Sequence, residues 1–208
     1  SNRGNGIPYS SSILGNNFAV ATGFALGNKI LSDKHTTMVI TGDGAIEEGA
    51  FYESLLFQRS NDLKVMTIVE NNEWSLGSKI DERRCKININ SICDALSIPY
   101  LKLYGNDPIN YVENLLSVIE HVQKQNSPYC IEVNLKTLGY WYEDQDGYPN
   151  GKFINYHSGK APRLNIEDNP ILEDSENDPL KVIENIIGQN LLREIFDSTL
   201  TKLSNEIK

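Results

Sequence analysis

The sequence predicts an α/β fold, a doubly wound parallel sheet with helices on both faces. Three observations carry that expectation. Short apolar runs alternate with longer segments of helical periodicity from Leu14 to Lys136, and strands that alternate with helices imply crossovers and a parallel sheet. The run Met38-Val39-Ile40-Thr41 lacks polar alternation and reads as a buried strand. Asp107 followed by Pro108 is a helix start, a capping residue with proline at the first helical position.

Taken in order, residues 14–30 place Ala19, Ala21, Gly23 and Ala25 at helical spacing, giving a helix smooth enough to pack closely on a neighbour. A strand follows at 38–41, a helix at about 46–59 and a strand at 65–70. A helix at about 89–97, a strand at 100–104, a helix at 108–125 and a strand at 129–136 complete the alternation. The 108–125 helix carries Val112, Leu115, Leu116, Ile119 and Val122 on one stripe. After the last strand the texture changes. Residues 138–157 hold Tyr140, Trp141, Tyr142, Tyr148, Phe153 and Tyr156 among glycines and read as a folded functional loop. Residues 1–162 are therefore expected to form one domain, 163–178 a solvated acidic linker, and 179–208 a helical tail broken near Gly188.

The chain has 208 residues, 28 acidic against 19 basic side chains, and a net charge of -9. With no basic excess to neutralise phosphate backbones or anionic lipid, nucleic acid and membrane surfaces are poor partners. No apolar run approaches the roughly 18 residues of a membrane span, and the first residues lack the apolar stretch of a signal peptide. A cytoplasmic address is expected. Cys85, Cys93 and Cys130 form no Cys-x-x-Cys pair, which predicts buried or inert thiols in a reducing compartment. His35 and His121 read as exposed.

Chemistry in a parallel sheet gathers beyond the carboxyl ends of its strands. There the sequence places Gly42-Asp43-Gly44, between the strand ending at Thr41 and the helix beginning at Ile46. Backbone N–H groups of Gly44, Ala45 and the first helical turn would cradle a phosphate. The spacing is neither the dinucleotide fingerprint, since Glu47 stands three after Gly44, nor a Walker loop, since Ala50 and Phe51 follow Gly49. Asp43 is an anion in a place suited to anions, which makes sense if a divalent cation bridges it to phosphate. One crossover later the next strand ends in Asn71-Asn72. A carboxylate, an amide oxygen, a carbonyl, two phosphate oxygens and a water would satisfy Mg²⁺. Asp144-Gln145-Asp146-Gly147 is rejected as a calcium loop, because Pro149 and Asn155 stand where glycine and glutamate are required.

Gly42-Asp43-Gly44 followed by Asn71-Asn72, with Glu48-Gly49, Glu53 and the upstream Leu14-Gly15-x-x-x-Ala19-x-Ala21-x-Gly23, resembles the diphosphate-binding domain of thiamine diphosphate enzymes. The similarity is to transketolases and to 2-oxo acid dehydrogenase alpha subunits, over roughly residues 10–140. The resemblance implies thiamine diphosphate and Mg²⁺ as cofactors. Asp43 and Asn72 would bind the metal through side chains and Trp74 through its carbonyl, with Gly42, Gly44 and Ala45 around the diphosphate. Ser12 and Leu14 would meet the aminopyrimidine and Leu76 the thiazolium, while Glu48 and Glu53 match acidic positions assigned to proton transfer between sites.

The branch is divided. Glu70-Asn71-Asn72-Glu73-Trp74-Ser75-Leu76-Gly77 and Asp178-Pro179-Leu180 resemble the dehydrogenase alpha subunits, whereas Tyr156-His157-Ser158-Gly159-Lys160-Ala161-Pro162 is similar to a transketolase loop. His157 would face cofactor and substrate there. A 2-oxo acid dehydrogenase alpha-type subunit is the expected function, with a split transketolase moving a two-carbon ketol unit, or a non-catalytic cofactor-binding paralogue, as alternatives. In the resembling families the carboxylate that activates the cofactor belongs to a pyrimidine-binding partner subunit or domain, so an oligomer with such a partner is expected.

Overall fold

The computed structural model describes residues 6–75, 77–138, 140–155, 171 and 174–206. Helix α1 (Asn16–Ile30) leads into β1 (Thr37–Gly42), a short 3₁₀ turn (Ala45–Glu47), α2 (Gly49–Ser60) and β2 (Val65–Asn71). An excursion of short pieces follows, β3 (Trp74–Ser75), β4 (Ser78–Lys79) and α3 (Ile80–Arg83). Then come α4 (Ile89–Ala95), β5 (Tyr100–Tyr104), α5 (Pro108–Gln125), β6 (Tyr129–Asn134), the hairpin β7 (Tyr140–Glu143) and β8 (Lys152–Asn155), α6 (Pro179–Ile187) and α7 (Gln189–Glu206).

The main sheet has the order β1-β2-β6-β5, with every pair parallel. Strands β2 and β6 lie inside it, and Val65, Met66, Val69, Cys130 and Ile131 are fully buried. Side chains of alternate residues feed two apolar layers. On one face Val39, Val65, Val69 and Cys130 pack with Phe18 of α1, Phe51 and Leu55 of α2, and Ile89 and Cys93 of α4. On the other Met66, Ile68, Leu103, Ile131 and Val133 pack with Val118 and Val122 of α5. Helices therefore cover both faces, as the sequence predicts. At the margin, β1 pairs with β2 alone among the described strands, and its Met38 and Ile40 stay about half exposed.

Asp107 accepts hydrogen bonds from the N–H groups of Ile109 and Asn110, so α5 starts where its capping sequence places it. Gly188 divides the tail into α6 and α7. Four expectations need correction. The helix expected over 46–59 is interrupted at Glu48, whose extended backbone ends the 3₁₀ turn and caps α2. The end of the acidic stretch is docked, not solvated. Asp178 is buried and accepts from the N–H of Leu180 to cap α6, and Asn106 donates to the carbonyl of Asn177. His121 is half-buried with its ring edge-on to Tyr129. Cys85 is exposed, while Cys93 and Cys130 are buried. A hydrogen bond with Cys93, and then burial, push the Cys130 thiol well up, which keeps it unreactive. Among the described residues no helix is long and apolar enough to cross a membrane.

Candidate functional site

The parallel register carries Asp43 and Asn72 to neighbouring strand ends. Gly42 lies opposite Glu70, and the ladder extends one residue further because the N–H of Asp43 donates to the carbonyl of Glu70 at 3.1 Å. Asp43 is 2% exposed. Burial pushes its carboxyl above the ordinary range, against the pull of the Arg83 and Arg84 guanidiniums. A carboxylate so buried needs a cation. In this structure the cation is Arg83, whose Nη2 lies 3.3 Å from Asp43 Oδ2.

Asn72 is held at both ends of its amide. Its Nδ2 donates to Thr137 Oγ1 at 2.9 Å, and its Oδ1 accepts from the N–H of Trp74 at 3.0 Å. That assignment of the amide follows from its partners and leaves one lone pair of Oδ1 uncommitted. Trp74 is buried at 7% exposure. Phe153 of the hairpin packs against it with the rings tilted, 5.9 Å between centroids, and Lys79 Nζ sits 5.4 Å over its ring.

Gly44 is needed for space, not for backbone freedom, since its φ is -71°. A Cβ there would stand 2.6 Å from Ser75 Oγ and 3.5 Å from Arg83 Nη1. Ser75, Arg83 and the Asp43 turn thus close on one another around the peptide of Gly44. Gly44 and Ala45 are both buried, and Gly42 is exposed at the strand end. Because the following turn is 3₁₀ and three residues long, the expected donors of a continuous helix are reduced to that turn and its flank.

The remaining expected residues are more scattered. Ser12 and Leu14 are exposed, just before α1. Glu48 and Glu53 are exposed at the start of α2, and Glu48 packs its stem on Gly15. Leu76 and His157 lie outside the described residues. Among the described residues no three His, Cys, Asp or Glu side chains come together as a metal site. An ion held by one carboxylate, one amide oxygen, a carbonyl and phosphate oxygens requires no such group.

Sequence reasoning missed the excursion between β2 and α4. Arg83 bonds Glu47 through Nη1, and Arg84 bonds Glu47 Oε1 at 2.9 Å and the carbonyls of Cys85 at 2.9 Å and Asp43 at 3.4 Å. Adjacent arginines in so acidic a chain are the signal that could have found them. A cavity of about 460 Å³ is lined by Asn71, Trp74, Arg84, Lys102, Glu132 and Asn134, among others. Glu132, 5% exposed, gathers Asn71 Nδ2 at 2.7 Å, the Tyr100 hydroxyl at 2.5 Å and Lys102 Nζ at 3.4 Å.

Residues 1–139 match the family described as "Dehydrogenase E1 component". The chain belongs to that family. It is 24% identical over 215 aligned residues to the pyruvate dehydrogenase E1 component subunit alpha of Acholeplasma laidlawii, covering 94% of this chain and 62% of the relative. It is also 29% identical over 213 residues to the transketolase of Staphylococcus aureus, covering 97% of this chain and 30% of that one. This member of the E1 family therefore spans less than two thirds of the alpha subunits it matches. The solved transketolase of Campylobacter jejuni superposes at a TM-score of 0.50 and 23% identity over 58% of this chain and 20% of that one, a likeness of fold.

Proposed function

We propose that this chain is the thiamine diphosphate- and Mg²⁺-binding part of a 2-oxo acid dehydrogenase alpha-type subunit. The observation that carries the reading is the buried Asp43 carboxylate at one strand end, beside an Asn72 amide locked in orientation at the next. The donor chemistry and the cramped peptide of Gly44 fit a hard divalent ion under a diphosphate. Asp43, Asn72 and the Trp74 carbonyl would hold the metal, with Gly42, Gly44 and Ala45 against the diphosphate. Ser12, Leu14 and Leu76 would line the rings. When bound, thiamine diphosphate supplies the electron sink for cleavage of a bond next to a ketone. The protein binds it, orients it and keeps water out. His157, Glu48 and Glu53 would move protons, His157 near the substrate and the glutamates toward a neighbouring subunit.

The carboxylate that activates the cofactor would come from a pyrimidine-binding partner, so the working enzyme is an oligomer, and its address is the cytoplasm. A split transketolase is the second reading, favoured by a similarity to a transketolase that covers 97% of the chain. Acyl transfer to lipoamide against ketol transfer to an aldose, measured with the partner present, separates the two. Binding without either turnover would favour a non-catalytic role.

Asp43→Ala tests the site itself. Titration calorimetry in Mg²⁺ should give a cofactor affinity at least tenfold weaker, about 1.4 kcal/mol. Unchanged affinity would sink the assignment.

A further inference from the structure

Arg83 has no role in the reading above, yet it stands in the middle of the site. Its side chain is 16% exposed. One arm, Nη1, is engaged by Glu47, and Nη2 reaches Asp43 only at 3.3 Å, the long end of the hydrogen-bond range. The third group, Nε, is buried with no hydrogen-bond partner among the described residues. Nε and Nη2 form one edge of the planar guanidinium, the edge that takes an oxyanion bidentately. That edge therefore holds one long contact and one unmet donor. Leaving a buried charged donor unmet is costly. The same guanidinium lies 3.5 Å from the point where a Gly44 side chain would begin, against the peptide expected to meet a diphosphate.

We infer that Arg83 is an exchangeable counter-ion: it occupies the cation position on Asp43 while the metal is away, and turns its Nε–Nη2 edge onto a diphosphate oxygen pair when the metal takes Asp43. The inference rests on the cofactor reading of this site. Glu47 makes the exchange economical, because it retains Nη1 while the other edge changes partner. A divalent ion on the same buried carboxylate would stand within a few ångströms of the Arg83 guanidinium, and the repulsion between the two cations favours release of Arg83 from Asp43. Arg84 differs. All three of its nitrogens are committed, two of its contacts are to backbone carbonyls, and it braces the excursion.

The exchange predicts that the metal and the cofactor respond to Arg83 in opposite directions. On the 208-residue chain, Mn²⁺ binding without cofactor is followed by loss of the free-ion electron paramagnetic resonance signal. Thiamine diphosphate binding at saturating Mg²⁺ is followed by calorimetry. In Arg83→Gln the ion alone should bind about threefold tighter or more, and thiamine diphosphate about tenfold weaker. Arg84→Gln makes the same charge change without touching the carboxylate, and its ion affinity should move less. Should Arg83→Gln fail to fold, Arg83→Lys decides, since it keeps the charge and loses the planar edge, and thiamine diphosphate should still weaken. Both affinities falling together, or neither moving, overturns the inference and leaves the cofactor site standing. A wild-type chain that binds neither probe overturns both.

Discussion

The Cβ of Glu48 lies 2.7 Å from the point where a side chain on Gly15 would begin, and Gly15 itself has a φ of 76°. The segment carrying Ser12 and Leu14 is thereby locked onto the end of the turn that follows Asp43. Gly15→Ala should cost about 1–2 kcal/mol for the left-handed backbone, and more for the collision. Urea denaturation of Gly15→Ala and of Gly15→Ala/Glu48→Gly separates the two parts. The double variant should recover the collision and not the strain; a single variant as stable as wild type would contradict this packing.

Gly44 is constrained differently, by Ser75 Oγ at 2.6 Å from its would-be Cβ. Gly44→Ala should leave the sheet folded but push Ser75 and Arg83 aside. Thermal stabilisation by thiamine diphosphate with Mg²⁺ should shrink to near zero in Gly44→Ala. Adding Ser75→Ala should restore part of it, since the remaining contact lengthens to 3.0 Å. Full stabilisation of the single variant would mean that the tight approach has no bearing on binding.

Tyr100 links stability to alkaline pH. Burial, then its hydrogen bond to Glu132, raises its phenol far above the usual value of 10. Below pH 10 the phenol is protonated in the folded and unfolded chain, and its contribution is fully present. Above pH 10 the unfolded phenol ionises first, so stability is lost as pH rises. Tyr100→Phe should cost roughly 1.5–3 kcal/mol near neutrality, the range for a hydrogen bond to a charged group. Its stability should also fall less steeply between pH 9 and about 11. Parallel slopes for the two proteins in urea melts across that range would refute the assignment.

Two unequal contacts help anchor the β7–β8 hairpin, alongside the buried Ile154. Phe153 packs tilted against Trp74, and Lys152 pairs with Glu82 at 2.9 Å. Aromatic packing on the buried Trp74 outweighs an ion pair that keeps contact with solvent, its side chains 16% and 33% exposed. Amide exchange across residues 142–153 should therefore accelerate markedly in Phe153→Ala and little in Lys152→Ala. The reverse order would place the anchor in the ion pair.

The sheet was legible because its strands are mostly apolar runs, Lys102 and Glu132 aside, and its crossovers have caps or turn glycines. Asp43 and Asn72 were legible for the same reason, since strand ends are where the register delivers them. The break at Glu48 was not, because it depends on Gly15 from a distant helix start. Arg83, Arg84 and Ser75 were not, because the excursion carrying them has no periodicity and its shape comes from contacts with Glu47, Asp43 and the hairpin. Asp178 resembled a solvated acid in composition, yet it is buried as a cap. Local composition reports solvation only when the segment has nothing to dock against.

Among the described strands β1 is paired on one side only, which bears on how the chain is handled. Its outer row of N–H and C=O groups, with Met38 and Ile40 beside it, is a template for any extended segment that drifts near. Asp43 sits one residue past the end of that rim. Concentration-driven strand addition in a purified sample would bury the mouth of the site along with the rim. Loss of ligand binding on concentrating the protein would then report crowding at a sheet margin, with every side chain of the candidate site still intact.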